Sequence, residues 1–215
     1  MKISIVAFDD FTDIDVWFMW DLLNRVERPD WKVQIVGERC CVTSSTGIRT
    51  QTHARLDEAN TSDVVLFASG KGTLAKMRDD VFLDAFNLDP ERQRIGSMCS
   101  GALILAALGL LEGKRATTYP TSKRLLEEMG VEVVEAPFVR EGNVATAAGC
   151  LAAQYLVGWV IEELLGKEVS DAALKFVQPV GEGLSFDEGD YEQSLAMIKG
   201  TGQVVAAEAA GGRLN

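Results

Sequence analysis

Ile95–Lys114 reads IGSMCSGALILAALGLLEGK. A short apolar run, Arg94–Met98, enters Cys99 and has the composition of a buried strand. Ser97, Ser100 and Gly101 surround the cysteine with small side chains, and Ser100–Leu111 then has the character of a helix. Leu103, Ala106, Ala107 and Leu110 share one face of that helix, and the opposite face is apolar too, so the helix is expected to be largely buried. Strand, sharp turn with a nucleophile, then helix is the pattern of a nucleophile elbow. A thiol at such a turn meets free N–H groups and the positive end of a helix dipole, which favour its thiolate. The same local string also suits a core cysteine at a strand end.

Strands alternate with helices on both sides of this stretch. Lys2–Phe8 reads as a first strand, Ile14–Val26 as a helix with Trp17, Trp20 and Leu23 at helical spacing, and Trp31–Val36 as a second strand. Cys40–Thr52 predicts a hairpin turning at Ser44–Gly47. Asp63–Phe67 predicts a buried strand, Asp79–Leu88 a helix, Ala116–Tyr119 a short strand, Thr121–Met129 a helix and Val131–Val134 a strand. A further hairpin is expected around Glu141-Gly142, followed by helices over Leu151–Leu165, from Ala172 onward, and over Tyr191–Ile198. This order predicts an α/β fold with a parallel sheet covered on both faces. No linker or repeat divides it, so a single domain over 1–200 is expected, with a small-residue tail over 201–215. Ligands of such sheets bind beyond the carboxyl ends of the strands. Asp9–Asp15, Ala68–Gly72 and Cys99 converge there.

Composition narrows the function. The 215 residues are 47% hydrophobic and carry 21 basic against 32 acidic side chains, a net charge of −11. That charge repels phosphate backbones, so no nucleic-acid partner is expected. No apolar run reaches spanning length and the start meets Asp9 and Asp10 early, so neither a membrane partner nor a signal peptide is expected. Four cysteines, Cys40, Cys41, Cys99 and Cys150, follow no disulfide framework, which suits a cytoplasmic protein with free thiols. With one histidine, His53, no metal site is expected. Ser69-Gly70-Lys71-Gly72-Thr73 has the look of a phosphate loop, but Val65 stands where its first glycine belongs, and no nucleotide or other cofactor is expected.

The longer string CSGALILAALGLLEGKRATTYP, Cys99–Pro120, resembles the ThiJ/PfpI superfamily and its isocyanide hydratase branch in particular. That family shows C-[TS]-G-[AS] and then L-x-L-A-x-x-G-L-L-x-G-[KR]-[RK]-A-T-[TS]-[HY]. VREGNVATAAG, Val139–Gly149, is similar to its V-x-x-G-N-x-x-T-x-x-G. The resemblance runs from about Met1 to Leu165 and implies a flavodoxin-like three-layer sandwich, a nucleophile elbow and a homodimer. It implies that Asp15, from the first strand–helix turn, sits against Cys99, kept protonated beside the thiolate and able to act as general acid and base. Asp13, two residues earlier, is the alternative; a helix-capping role is the structural alternative for Asp15. The family's glycine loop corresponds to Ala68-Ser69-Gly70, which implies an oxyanion hole from the backbone N–H groups of Gly70 and Ser100.

The sequence departs from the family pattern at two places. Tyr119 stands where many members have a histidine, so a Cys-His pair of the protease kind is not expected. Val16-Trp17-Phe18-Met19 replaces a small residue and Gly-Pro after the aspartate, and Trp17 or Trp20 would narrow the pocket if it faced inward. The function these features imply is a cysteine-dependent hydratase acting on a small electrophile, an isocyanide becoming an N-substituted formamide. A non-catalytic redox or electrophile sensor using Cys99, oxidised to the sulfinate, is a second reading. Glyoxalase-type hydration of a 2-oxoaldehyde is a third. A ligand-sensing module of a DNA-binding regulator is disfavoured by the acidity and by the short stretch after the core.

Overall fold

The computed structural model describes residues 1–185 and 187–201, so the expected tail over 201–215 lies almost wholly outside the described residues. The elements run β1 (Lys2–Val6), α1 (Asp13–Asn24), β2 (Lys32–Gly37), β3 (Cys41–Thr43), β4 (Arg49–Gln51), β5 (Ala54–Arg55), β6 (Val64–Phe67), α2 (Thr73–Lys76), α3 (Asp80–Leu83), β7 (Arg94–Met98), α4 (Ala102–Ala107), β8 (Arg115–Ala116), α5 (Lys123–Glu128), β9 (Glu132–Val133), β10 (Phe138–Glu141), β11 (Val144–Ala147), α6 (Ala153–Leu165), α7 (Lys167–Lys175) and α8 (Glu188–Lys199). Seven strands form the central sheet in the order β10-β11-β7-β6-β1-β2-β5. Every pairing is parallel except β10 with β11. The expected mostly parallel α/β sandwich is therefore present.

The period of two in β6 shows why the sheet needs cover on both sides. Val64, Leu66 and Ala68 point into one core with Val16, Met19, Leu22 and Leu23 of α1 and Leu156, Val160 and Ile161 of α6. Val65 and Phe67 point into the other core with Phe82 of α3, Ala102–Leu105 of α4 and Leu126 of α5. Each of these strand residues is fully buried, and burying such a side chain is worth roughly 1.5–3 kcal/mol. A strand apolar on both faces has no half-exposed solution and takes a central place.

Some elements differ from expectation for local reasons. α3 stops at Leu83 rather than running to Leu88. The Asn60 side chain accepts from Asn87 N–H at 2.8 Å and donates to the Ala85 carbonyl at 2.9 Å, capturing the backbone in a non-helical path. α4 ends at Ala107 rather than Leu111 because Gly109, at φ 73°, reverses the chain. Leu110 N–H then closes on the Leu105 carbonyl at 3.0 Å, the bond of a glycine-terminated helix end. Of the expected strand Ala116–Tyr119 only Ala116 pairs, as part of Arg115–Ala116, with β9 and outside the main sheet. Thr117 and Thr118 instead bond across the ends of β11 and β7: Thr117 N–H donates to Thr146 Oγ1 at 2.8 Å and Thr118 Oγ1 donates to the Cys99 carbonyl at 3.0 Å. α7 begins at Lys167, earlier than Ala172. The hairpin β3–β4 and the hairpin β10–β11 turn where the sequence places them.

The sheet order sets β11, β7, β6 and β1 side by side, so the loops after their carboxyl ends meet. Gly70 packs under the Asp9–Phe11 turn. A Cβ on it would lie 2.1 Å from the Asp10 carbonyl oxygen, and its φ is 157°. Gly70→Ala is expected to destabilise the fold by about 2–4 kcal/mol, because the obstacle is backbone and cannot rotate away. A denaturant midpoint equal to wild type would contradict this. Gly101 serves close approach as well: a Cβ there would sit 2.8 Å from the Ala68 carbonyl, so only glycine lets the elbow lie against the end of β6.

Candidate active site

Cys99 sits at the end of β7 with φ 46°, a left-handed conformation that side-chain-bearing residues other than Asn and Asp seldom adopt. A single 3₁₀ turn, Cys99–Gly101, then leads into α4. This is the strand–turn–helix elbow expected from the sequence. The Thr118 hydroxyl on its carbonyl pins the strained residue from outside the turn. Cys99 is buried apart from 4% of its surface.

Asp15 is fully buried on the first turn of α1. Its Oδ1 lies 3.9 Å from the Cys99 Sγ, a thiol-to-carboxylate hydrogen bond. The Ser69 hydroxyl donates to Oδ2 at 2.5 Å, and the Ser69 backbone N–H donates to the same carboxyl. Ser69 is in turn held by Thr12 N–H, which donates to its carbonyl at 2.7 Å. Asp13 points elsewhere: Thr46 Oγ1 donates to its Oδ1 at 3.0 Å. Asp9 accepts from Thr43 N–H at 2.9 Å and pairs with Arg39. Of the acidic side chains in the first loop and turn, Asp15 is the one bonded to the cysteine.

The structure adds a residue to this pair. Cys150, just after β11, brings its sulfur into the same cluster, and the reactive atoms of Asp15, Cys99 and Cys150 lie within 4.8 Å of one another. The sequence around it carries a local signal. Ala147 ends a strand, Gly149 turns the chain at φ 87°, and a 3₁₀ turn carrying Cys150 opens a helix, a second strand–turn–helix beside the first. Ser69 and Gly149 were also not singled out.

Three acidic groups in one buried place shape each other's protonation. Burial raises the Asp15 pKa from the ordinary carboxylate value, against the opposing hydrogen bonds from Ser69, Cys150 and Cys99. Burial pushes the Cys99 thiol up strongly, and the Asp15 charge adds to it; the Gly149 backbone N–H, donating to sulfur, works the other way. Burial and Asp15 push Cys150 up to about 11. The expectation that helix-end N–H groups dominate at Cys99 is thus corrected. α4 is only six residues long, with a correspondingly small dipole, while burial and a neighbouring acid act directly on sulfur. A thiolate at Cys99 therefore requires the proton to reside on Asp15.

The cluster opens on a cavity of about 590 Å³ whose lining includes Thr12, Lys71, Leu74, Tyr119 and Leu125. Neither Trp17 nor Trp20 lines it. Both pack against the core, and Trp20 stacks on His53 with centroids 5.1 Å apart. His53 accepts Ile35 N–H on Nδ1 at 3.0 Å and has no part in the cavity. Gly70 and Ser100 both line the cavity, but the Gly70 N–H donates to Thr73 Oγ1 at 3.0 Å, and Ser100 Oγ bonds the same hydroxyl at 3.1 Å. The Gly70 half of the expected oxyanion hole is thus committed to Thr73. Tyr119 stands between this cavity and a second one of about 620 Å³ lined by Val133, Ala136, Pro137 and Gly149.

The chain is 31% identical over 172 residues to an isonitrile hydratase of Pseudomonas putida, an alignment covering 79% of this chain and 75% of that protein. It is 25% identical over 147 residues to a deglycase of Pyrococcus horikoshii, covering 66% of this chain and 87% of that one. Among solved structures, a ThiJ/PfpI family protein from Pseudomonas syringae superposes with a TM-score of 0.75 at 26% identity, covering 83% of this chain and 76% of its own. Schizosaccharomyces pombe DJ-1 shares the fold with a TM-score of 0.72 at 20% identity, over 84% of this chain and all of that one. The sequence profile of the DJ-1/PfpI family matches residues 1–163, the stretch that contains the elbow, the Asp15 turn and the strand ends that join them, and the chain belongs to that family.

Proposed function

We propose that the protein is a cysteine-dependent hydratase that converts an isocyanide to an N-substituted formamide. The observation that carries the proposal is the buried contact between the Asp15 carboxyl and Cys99 Sγ, 3.9 Å apart, behind a cavity that Cys99 lines and His53 does not. The relative named isonitrile hydratase supports the substrate class. An isocyanide carbon needs a soft nucleophile and a proton source, and a thiolate beside a protonated carboxyl supplies both. It does not need the histidine that protonates an amine leaving group.

In the proposed cycle Cys99 sulfur attacks the terminal carbon, and Asp15 gives its proton to that carbon, forming a thioimidate. Asp15, now a carboxylate, takes a proton from water as the water oxygen bonds to the same carbon. The hydroxyl proton, the second from water, moves from oxygen to nitrogen as the carbonyl forms and the carbon–sulfur bond breaks, so the formamide leaves and the thiolate returns beside a protonated Asp15. Ser69, bonded to Oδ2, orients the carboxyl so that Oδ1 faces sulfur. The backbone N–H of Ser100, next to Cys99, is the donor we assign to the developing negative charge; Gly70 takes that role only if its bond to Thr73 opens. No metal or cofactor takes part in the cycle.

Incubation with several alkyl and aryl isocyanides should give formamide detectable by mass, without added metal or nucleotide. Background rates equal to those of buffer across the series would end the hydratase reading. We also propose a homodimer, as closed two-fold assemblies commonly are, and a cytoplasmic location, where Cys99 stays reduced. Light scattering at micromolar concentration should return twice the 23.4 kDa chain mass, and a monomer mass would contradict the dimer.

A further inference from the structure

Cys150 has no task in the hydration cycle, yet its sulfur shares a buried cluster with Cys99 and Asp15, with their reactive atoms within 4.8 Å of one another. The two cysteines sit on adjacent parallel strands' ends, β7 and β11, and both line the 590 Å³ cavity. We infer that Cys99 and Cys150 form a reversible disulfide after a small hydroperoxide enters that cavity, a modification that switches the nucleophile off and protects it from over-oxidation.

The separation suits a resolving pair. A disulfide needs sulfurs about 2.05 Å apart, and the closure falls to side-chain rotation on Cys150, which is half-buried on a short turn and carries no backbone strain of its own. Cys99 cannot easily move, because its backbone is held at φ 46° with its carbonyl bonded to Thr118. The electrons balance. Cys99 thiolate attacks one peroxide oxygen, the O–O bond breaks, and the departing alkoxide takes the proton held by Asp15, leaving a sulfenic acid at Cys99. Cys150 sulfur then attacks the Cys99 sulfur. Hydroxide leaves, takes the Cys150 proton and departs as water. The sulfur pair loses two electrons and the peroxide gains them; a dithiol reverses the oxidation by exchange. Asp15, left as a carboxylate by the first step, lies within reach of both sulfurs and can relay the Cys150 proton to the leaving hydroxide. Cys40 and Cys41 lie on the β3 hairpin, away from this cavity.

The inference concerns sulfur chemistry and stands apart from the hydratase reading, so its test reads mass alone. Reduced full-length protein treated with one equivalent of hydrogen peroxide should lose about 2 Da. Tryptic mapping should join the peptide 95–114 to the peptide 141–167, and dithiothreitol should undo the link. With the resolving thiol removed, Cys150→Ser and Cys150→Val should each gain about 16 Da at Cys99 as sulfenic acid at that dose, and about 32 Da as sulfinate once a second equivalent is added. Cys40→Ser/Cys41→Ser should still lose about 2 Da. Equal sulfinate at Cys99 in wild type and the Cys150 variants would overturn the inference. A link mapped to peptide 40–49, or no mass change at all, would overturn it too.

Discussion

Cys99→Ala is expected to cut formamide production about a thousandfold or more, to the level of buffer, with the fold retained. The whole cycle passes through a bond to this sulfur, so no partial route remains. Alanine is the proper replacement because it keeps the left-handed backbone at φ 46° and the Thr118 bond, which is made to a backbone carbonyl. Only the sulfur goes. The loss leaves a small void in a site 4% exposed, worth about 1 kcal/mol, far too little to unfold a domain with two large cores. Cys40→Ala, at an exposed position outside the cavity, is the matched control and should keep wild-type turnover. If Cys99→Ala keeps its rate and Cys40→Ala also does, the reaction is not run by a thiol and the hydratase proposal fails. If Cys99→Ala unfolds, circular dichroism separates that outcome from lost chemistry.

The layers of the fold were legible because strands buried on both faces leave a blunt signature. Val64–Phe67 has no polar position, and nothing but a central strand accepts that. Helix lengths were not legible where a distant side chain ended them. Nothing near Ala85 tells that Asn60 will bind its carbonyl. Gly109 was a readable stop, yet the apolar run through Leu111 masked it, since Leu110 and Leu111 are buried in the turn after the helix rather than on it. At the site, the elbow could be read from one continuous stretch. Asp15 needed the resemblance, because its meeting with Cys99 depends on β1, β6 and β7 being neighbours. Cys150 was missed for the same reason in reverse. Its local pattern repeats that of Cys99, but only the adjacency of β11 to β7 turns two separate cysteines into a pair. The thiol's protonation was misjudged because dipole arguments use sequence neighbours, whereas burial and the Asp15 charge come from across the sheet.

Asp15→Asn should separate function from stability, moving the two in opposite directions. Turnover is expected to fall by about 10²–10⁴-fold, since the amide cannot give up and retake a proton. Stability is expected to rise by roughly 1 kcal/mol, or about 2–4 °C for a domain of this size. The sign follows from the direction of the pKa shift. Burial raises Asp15 above its unfolded value of 3.8, so above that pH the folded state holds more protons than the unfolded one. Stability then falls as pH rises from 3.8 through the folded pKa, so the buried acid is a standing cost at neutral pH, where the unfolded carboxyl is ionised in water at no such penalty. Asparagine stays neutral and removes that cost while its oxygen still accepts from Ser69. The Cys99 thiol should also titrate at lower pH in the variant, because the Asp15 charge is one of the causes holding it up. In wild type the rate should rise with loss of the first proton from the pair and fall with loss of the second. In Asp15→Asn the falling limb should vanish, leaving a small residual rate that climbs with thiolate formation and then levels. Thermal melts at several pH values, an ultraviolet thiolate titration and the pH–rate profile test these points together. A variant with lowered stability and an unchanged thiol titration would make Asp15 a structural carboxylate and remove the acid from the proposed cycle.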